Sequence, residues 1–232
     1  MPGESVRAYA APSRSYARPA RPTPTPSTIF MVRHGDTDMN SGEGKTPLMR
    51  GWSDASLTDE GKQQAKLAGR QLAGKNVRRL FSSDLKPALD TAKIIGKELG
   101  LEVEPLPELR TWDVGKWTGE PTADIRPRLQ ELQEREPARP APAGKGFAGE
   151  SFDAYTRRLR QGIHYLQGVA ASVSKQDGTV AAVMHGHPLR ALRYVLDGRS
   201  AVPLEGVAEH GDILPVSYQG NENGLWEVGR KL

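Results

Sequence analysis

The chain has 232 residues, no cysteine and a formal charge of +4. That length suffices for one large α/β domain with a proper core, and the missing thiols exclude disulfides and thiolate metal sites while leaving the redox compartment unread. Four arginines against one glutamate place +3 of the charge within residues 1–28, so the body is near neutral and does not read as a nucleic-acid binder; nor is any apolar run long enough to span a bilayer.

Residues 1–27 are rich in Ala, Pro, Ser, Arg and Thr and end in Thr23-Pro24-Thr25-Pro26. Such a segment buries too little apolar area to offset its ordering entropy, so an extended or polyproline-like arm is predicted. It lacks the apolar core of a secretory signal, and its prolines disfavour the amphipathic helix of a transit peptide. Two readings of the arm stand: a disordered leader, or an arm that docks on a protein partner or an anionic surface. From residue 28 to 232 strand-like and helix-like segments alternate, the pattern of an α/β sheet with helices on both faces. Thr28-Ile29-Phe30-Met31-Val32 reads as a strand. Thr58–Ala73 reads as a helix with Ala65, Ala68 and Leu72 on one side, and Val77–Phe81 as a second strand. A helix then opens near Pro87, which a first turn tolerates, and stops at Gly100. Ser151 is a suitable cap for a longer helix with the stripe Phe152, Tyr155, Leu159, Ile163 and Leu166. Within it, Arg157, Arg158 and Arg160 read as a solvated face and His164 as a surface histidine. Thr179–Met184 is a further β-branched run, Pro188 opens a last helix, and Asp212–Tyr218 and Leu225–Val228 read as closing strands.

Two of these strands end alike. Val32-Arg33-His34-Gly35 terminates the first, and His185-Gly186 follows Met184. A strand that delivers Arg, His and Gly to a loop brings together a cation, a nucleophilic imidazole and a backbone without Cβ. That combination suits phosphoryl transfer through a phosphohistidine. Two strands each ending in His-Gly are far more specific than either alone. His185-Gly186-His187 by itself is a weak metal signal, with no carboxylate or thiolate framework around it.

The motifs continue in order: Arg33-His34-Gly35-Asp36-Thr37 with Asn40; Arg50-Gly51-Trp52-Ser53-Asp54 with Leu57-Thr58-Asp59-Glu60-Gly61; Ser82-Ser83-Asp84-Leu85 continuing to Thr91-Ala92; Leu109-Arg110 with Gly115-Lys116-Trp117-Thr118-Gly119; Gly149-Glu150-Ser151-Phe152; and His185-Gly186. In these six pieces the chain resembles the histidine phosphatase superfamily, the phosphoglycerate mutase-like group, from about Ile29 onward. The resemblance implies a three-layer α/β sandwich with a mostly parallel central sheet. It implies phosphomonoester hydrolysis through phospho-His34, with Arg33 and His185 on the phosphoryl group, Thr37 and Asn40 as candidates for orienting contacts, and no metal or organic cofactor. Residues 120–148 are then expected to form an insertion over the active face. Trp52, Trp112 and Trp117 belong either to a substrate pocket or to the core.

The chain departs from the family pattern twice. Where a second phosphate-binding Arg is usual stands Pro87, which has no charge and no N–H; Lys86 or Arg50 is the expected substitute. Where an acid Glu is usual stands Thr111, leaving Asp113 or Glu150 to protonate the leaving oxygen. Hydrolysis is the expected chemistry rather than mutase activity, on a small phosphorylated substrate, in the cytoplasm. The alternative is a catalytically weakened fold reused as a structural or binding component of an assembly such as a virus particle, with the arm as the docking element. Nucleic acid is a disfavoured partner, a membrane is not expected, and a homo-oligomer is compatible with either reading.

Overall fold

The structure is a computed structural model that describes residues 26–39, 46–144, 149–197, 208–218 and 226–232. The arm through residue 25, Asn40, residues 145–148 and Leu225 lie outside the described residues. Strand β1 (Ser27–Arg33) carries apolar side chains toward both faces, and Ile29, Met31 and Val32 are fully buried. A strand with no polar face belongs in the middle of a sheet covered on both sides. It lies there, parallel to β4 (Thr179–Met184) and antiparallel to β5 (Ile213–Tyr218). With β2 (Val77–Ser82), β3 (Val103–Pro105) and β6 (Trp226–Val228) the sheet has six strands in the order β3-β2-β4-β1-β5-β6. The first four of that order are mutually parallel, and β5 and β6 run antiparallel to their neighbours.

Because side chains alternate along a strand, the sheet divides the core in two. Phe30, Val32, Leu80, Ala181 and Val183 pack with residues of helices α1 (Asp59–Ala73) and α2 (Lys86–Leu99). Ile29, Met31, Phe81, Ala182 and Met184 pack with residues of α3 (Thr122–Glu134), α4 (Phe152–Ser174) and α5 (Gly186–Asp197). Each fully buried Leu, such as Leu72 or Leu159, contributes about 1.5–3 kcal/mol of transfer free energy. The helix ends follow local chemistry. Thr58 accepts the Gly61 N–H into α1, and Asp59 and Glu60 sit in its first turn beside the partial positive charge. Ser151 caps α4 through Ala154 N–H. Pro87 sits in the first turn of α2, and Gly100 ends it at φ +67, a left-handed conformation that suits glycine.

Two expectations change, and one gains detail. Helix α5 begins at Gly186, two residues before Pro188. The segment 120–148, expected as an insertion over the active face, contains helix α3, whose buried residues Ile125, Leu129 and Leu132 have helical spacing. Arg158 does not belong to a solvated face: its guanidinium is mostly buried and donates to the Glu150 carboxylate and to the carbonyls of Glu108, Arg110 and Thr111. Arg157 and His164 are exposed. Of the tryptophans left open above, Trp112 and Trp117 are core residues.

Candidate active site

The parallel strands β1, β4 and β2 end side by side, and the backbone continues the pairing past their ends. His34 N–H donates to the Met184 carbonyl at 2.9 Å and Ser83 N–H to the Val183 carbonyl at 3.0 Å. This brings His34, His185 and Ser83, distant in sequence, to one point. The loop after His34 then lies against the first turn of α1. A Cβ on Gly35 would fall 2.2 Å from the Gly61 carbonyl oxygen, and one on Gly61 2.1 Å from the Asp36 carbonyl oxygen. The two backbones therefore touch only because both residues are glycine. Gly35 N–H donates to the buried Thr91 hydroxyl, which in turn donates to the Pro87 carbonyl, tying the loop to α2.

His34 is buried. Its Nδ1 lies 2.7 Å from the Gly35 carbonyl oxygen. A carbonyl only accepts, so Nδ1 carries the hydrogen and Nε2 keeps its lone pair. Arg50 Nη1 stands 3.5 Å from that Nε2. Burial first, then the charge of Arg50 and the neighbouring His185, hold the His34 pKa well below its ordinary value. The His185 ring lies 5.1 Å from that of His34, and its Nε2 is 2.9 Å from Ser83 Oγ. Burial, with Arg50, Arg158 and Arg33 nearby, lowers its pKa to about 3. Both imidazoles are neutral at pH 7.

A cavity of about 270 Å³ opens here, lined among others by Arg33, His34, Arg50, Pro87, Thr111 and His185. Arg126 from α3 and Arg190 from α5 line it as well. Arg33, Arg50 and Arg190 repel one another; this repulsion, after burial, lowers the Arg33 pKa and brings that of Arg50 to about 10. Four guanidinium groups around so small a volume make it a receptacle for anions. No carboxylate is among the described lining residues.

The sequence-expected residues thus divide. Arg33, His34, Arg50 and His185 come together around the cavity. Lys86 pairs with Asp90 one helical turn on, and is not among the lining residues. Asp113 is buried behind the Thr111 loop, accepts Gly115 N–H at 2.9 Å, and has its pKa raised by burial. Glu150 takes the fork of Arg158, with contacts of 3.0 and 2.7 Å. Neither carboxylate lines the cavity. The Thr111 carbonyl accepts from both Trp52 Nε1 and Arg158, so the loop that presents Thr111 is firmly held.

Sequence reasoning missed Arg126, Arg190 and His210. The only local signal for Arg126 is its place beside the short Ile125, Leu129, Leu132 stripe, and for Arg190 its place one helical turn beyond Gly186. His210 carried no local signal; its ring lies 5.6 Å from that of His34 only through folding.

Comparison with known proteins identifies the family. Residues 29–214 match the family described as histidine phosphatase superfamily (branch 1). A glucosyl-3-phosphoglycerate phosphatase of Mycolicibacterium vanbaalenii is 33% identical over 73% of this chain and 74% of its own length. A 2,3-bisphosphoglycerate-dependent phosphoglycerate mutase of Mesorhizobium japonicum is 32% identical over 84% of this chain and 92% of its own. Among solved structures, that of a mycobacterial glucosyl-3-phosphoglycerate phosphatase superimposes with a TM-score of 0.69 at 25% identity, covering 88% of this chain and 97% of the other.

Proposed function

The chain belongs to the histidine phosphatase superfamily, and from that premise we propose that it is a phosphomonoesterase working through a phosphohistidine on His34. The observation that carries this reading is the state of the His34 ring: Nδ1–H is held by the Gly35 carbonyl, and the unprotonated Nε2 accepts a long contact from Arg50 in a cavity ringed by arginines. In the first step Nε2 attacks phosphorus, a P–N bond forms, and the ester P–O bond breaks. The Nδ1–H to carbonyl bond stabilises the positive charge that the ring acquires. Arg33 and Arg50 offset the phosphoryl charge, and His185 hydrogen-bonds an equatorial oxygen. In the second step water attacks phosphorus and passes a proton to the carboxylate that served as the acid, the P–N bond breaks, and inorganic phosphate leaves with His34 and the acid restored. Losing one such preorganised charge contact costs about 2.7–4 kcal/mol in the transition state.

Of the two candidate acids, Asp113 is the one favoured, because burial already raises its pKa and Glu150 is engaged as the counter-ion of Arg158. Its proton would reach a leaving oxygen in the cavity through an intervening water. The substrate is a small phosphate ester bearing a second anionic group, since Arg126 and Arg190 extend the positive lining beyond the reacting centre. The relatives named above for phosphorylated glycerates support that class.

The test is hydrolysis of an aryl phosphate by wild type and His34→Ala, with acid-quench trapping of labelled phosphate. An acid-labile phosphohistidine in wild type and no turnover in the variant are expected. Equal background rates with no trapped label on aryl phosphates and on phosphorylated glycerates would reject the reading.

A further inference from the structure

Arg33 is held from behind by two acceptors that carry no charge. Its Nη1 donates to the Ala208 carbonyl at 2.7 Å, and its Nη2 lies 2.8 Å from His210 Nε2. A guanidinium has no lone pair to offer, so His210 Nε2 must be the acceptor and the ring hydrogen must sit on Nδ1. That Nδ1 is 3.7 Å from Asp36 Oδ1, which itself sits in a fixed setting: Asp36 Oδ2 accepts the Thr58 hydroxyl at 3.0 Å and Asp36 N–H donates to Gln64. The result is a row of carboxylate, neutral imidazole and guanidinium leading into the cavity.

The turn that supplies both acceptors is built onto Arg33. Gly211 N–H donates to the Arg33 carbonyl at 3.1 Å and Arg33 N–H to the Asp212 carbonyl at 3.0 Å. Asp212 closes the turn by accepting Glu209 N–H and is itself paired with Lys231. Gly211 takes φ +82, which a side chain there would resist. On its other side the guanidinium rests on Gly186, where a Cβ would come within 3.2 Å of Nε.

We propose that His210 is a positioning residue for Arg33: as a neutral acceptor it fixes the guanidinium for phosphate without cancelling its charge. A carboxylate in direct contact would orient Arg33 as well but would neutralise it. Here no carboxylate is among the described hydrogen-bond partners of Arg33: Asp36 stands one imidazole away, and Glu209 and Asp212 in the turn act on it only through their field, so Arg33 keeps its charge, and one N–H on each terminal nitrogen, for a ligand. The proposal rests on the phosphatase reading for its purpose, and its geometry can be measured without catalysis.

The experiment compares wild type with His210→Gln, His210→Phe and His210→Glu. Imidazole nitrogens are observed by ¹⁵N NMR, with the His210 signals identified by their loss in the Gln variant, and binding of inorganic phosphate is measured by calorimetry. Wild type is expected to show an unprotonated Nε2 and a hydrogen on Nδ1 at pH 7. Gln offers a neutral acceptor and should keep phosphate affinity within about threefold, whereas Phe, similar in size without an acceptor, should lose about tenfold, one hydrogen bond to a charged group. Glu, which holds and neutralises, should lose at least as much as Phe. A hydrogen on Nε2 of wild-type His210, or Phe or Glu binding phosphate as wild type does, would overturn the proposal. If a variant fails to fold, the wild-type tautomer alone decides the geometry. A wild type with the expected tautomer that neither binds phosphate nor turns over aryl phosphates upholds that geometry and rejects the phosphatase reading instead.

Discussion

At the scale of single residues, the site contrasts charge with neutrality. Four arginines line the cavity, while the histidines between them are held neutral by burial and by those same charges. A neutral His34 is what a nucleophile requires, and a protonated one would have no lone pair on Nε2. Two substitutions separate the carboxylates. Asp113→Asn should lower turnover of alkyl phosphates by roughly 10²-fold or more while sparing aryl phosphates, whose leaving groups need little protonation. Glu150→Gln should act mainly on stability, because it leaves the buried Arg158 with a weaker partner; thermal melts together with kcat on both substrate types distinguish the two effects. Arg50→Lys keeps a charge but loses the planar fork, and should reduce kcat/KM by about 10²-fold, within the range for one lost contact.

At the scale of elements, the site depends on close contact between the His34 loop and α1. Gly61→Ala puts a Cβ against the Asp36 carbonyl, which the loop can relieve only by moving. Overpacking of this kind costs about 1–3 kcal/mol, and because the displaced loop carries His34, activity should fall further than stability does. Thr58→Ala removes the cap of the same helix and should cost about 1 kcal/mol. It also removes the hydroxyl on Asp36, so chemical denaturation and phosphate binding should both register the change. Much of this level was legible beforehand. The cap Ser151, the Gly100 stop and the two His-Gly strand ends each follow from a few adjacent residues. Helix α3 was obscured because charged residues and Pro127 surround a short stripe of three apolar positions. The inward turn of Arg158 was obscured because its partners, Glu150 and the carbonyls of residues 108, 110 and 111, come from other parts of the chain.

At the scale of the whole molecule, the suppressed basicity of the histidines sets an acid limit on stability. Burial lowers the pKa of His185 and His210 to about 3 and of His187 to about 4, and holds that of His34 well below 6.5. For a base whose pKa is lower in the folded state, the unfolded chain binds more protons. Stability should therefore be retained above about pH 6.5 and decline as pH falls toward 4, with up to about four protons taken up on unfolding. The slope of unfolding free energy against pH measures that number. The arginine cluster has the opposite sensitivity, since an anion that binds the folded state alone must stabilise it. Inorganic phosphate at 100 times its Kd should add about 2.7 kcal/mol, and the effect should shrink in Arg50→Lys.

By itself the sequence determined the family and the α/β architecture and brought out Arg33, His34 and His185 as candidates, because each rests on a motif of neighbouring residues whose spacing is set by strand and helix geometry. Only the tertiary structure decided that Arg50 rather than Lys86 enters the cavity, that Glu150 is bound to Arg158, and that His210 stands behind Arg33. Those outcomes depend on which distant segments the strand order β2-β4-β1-β5 brings within a few ångströms, and on which charges burial then forces to find a partner. No local pattern encodes either.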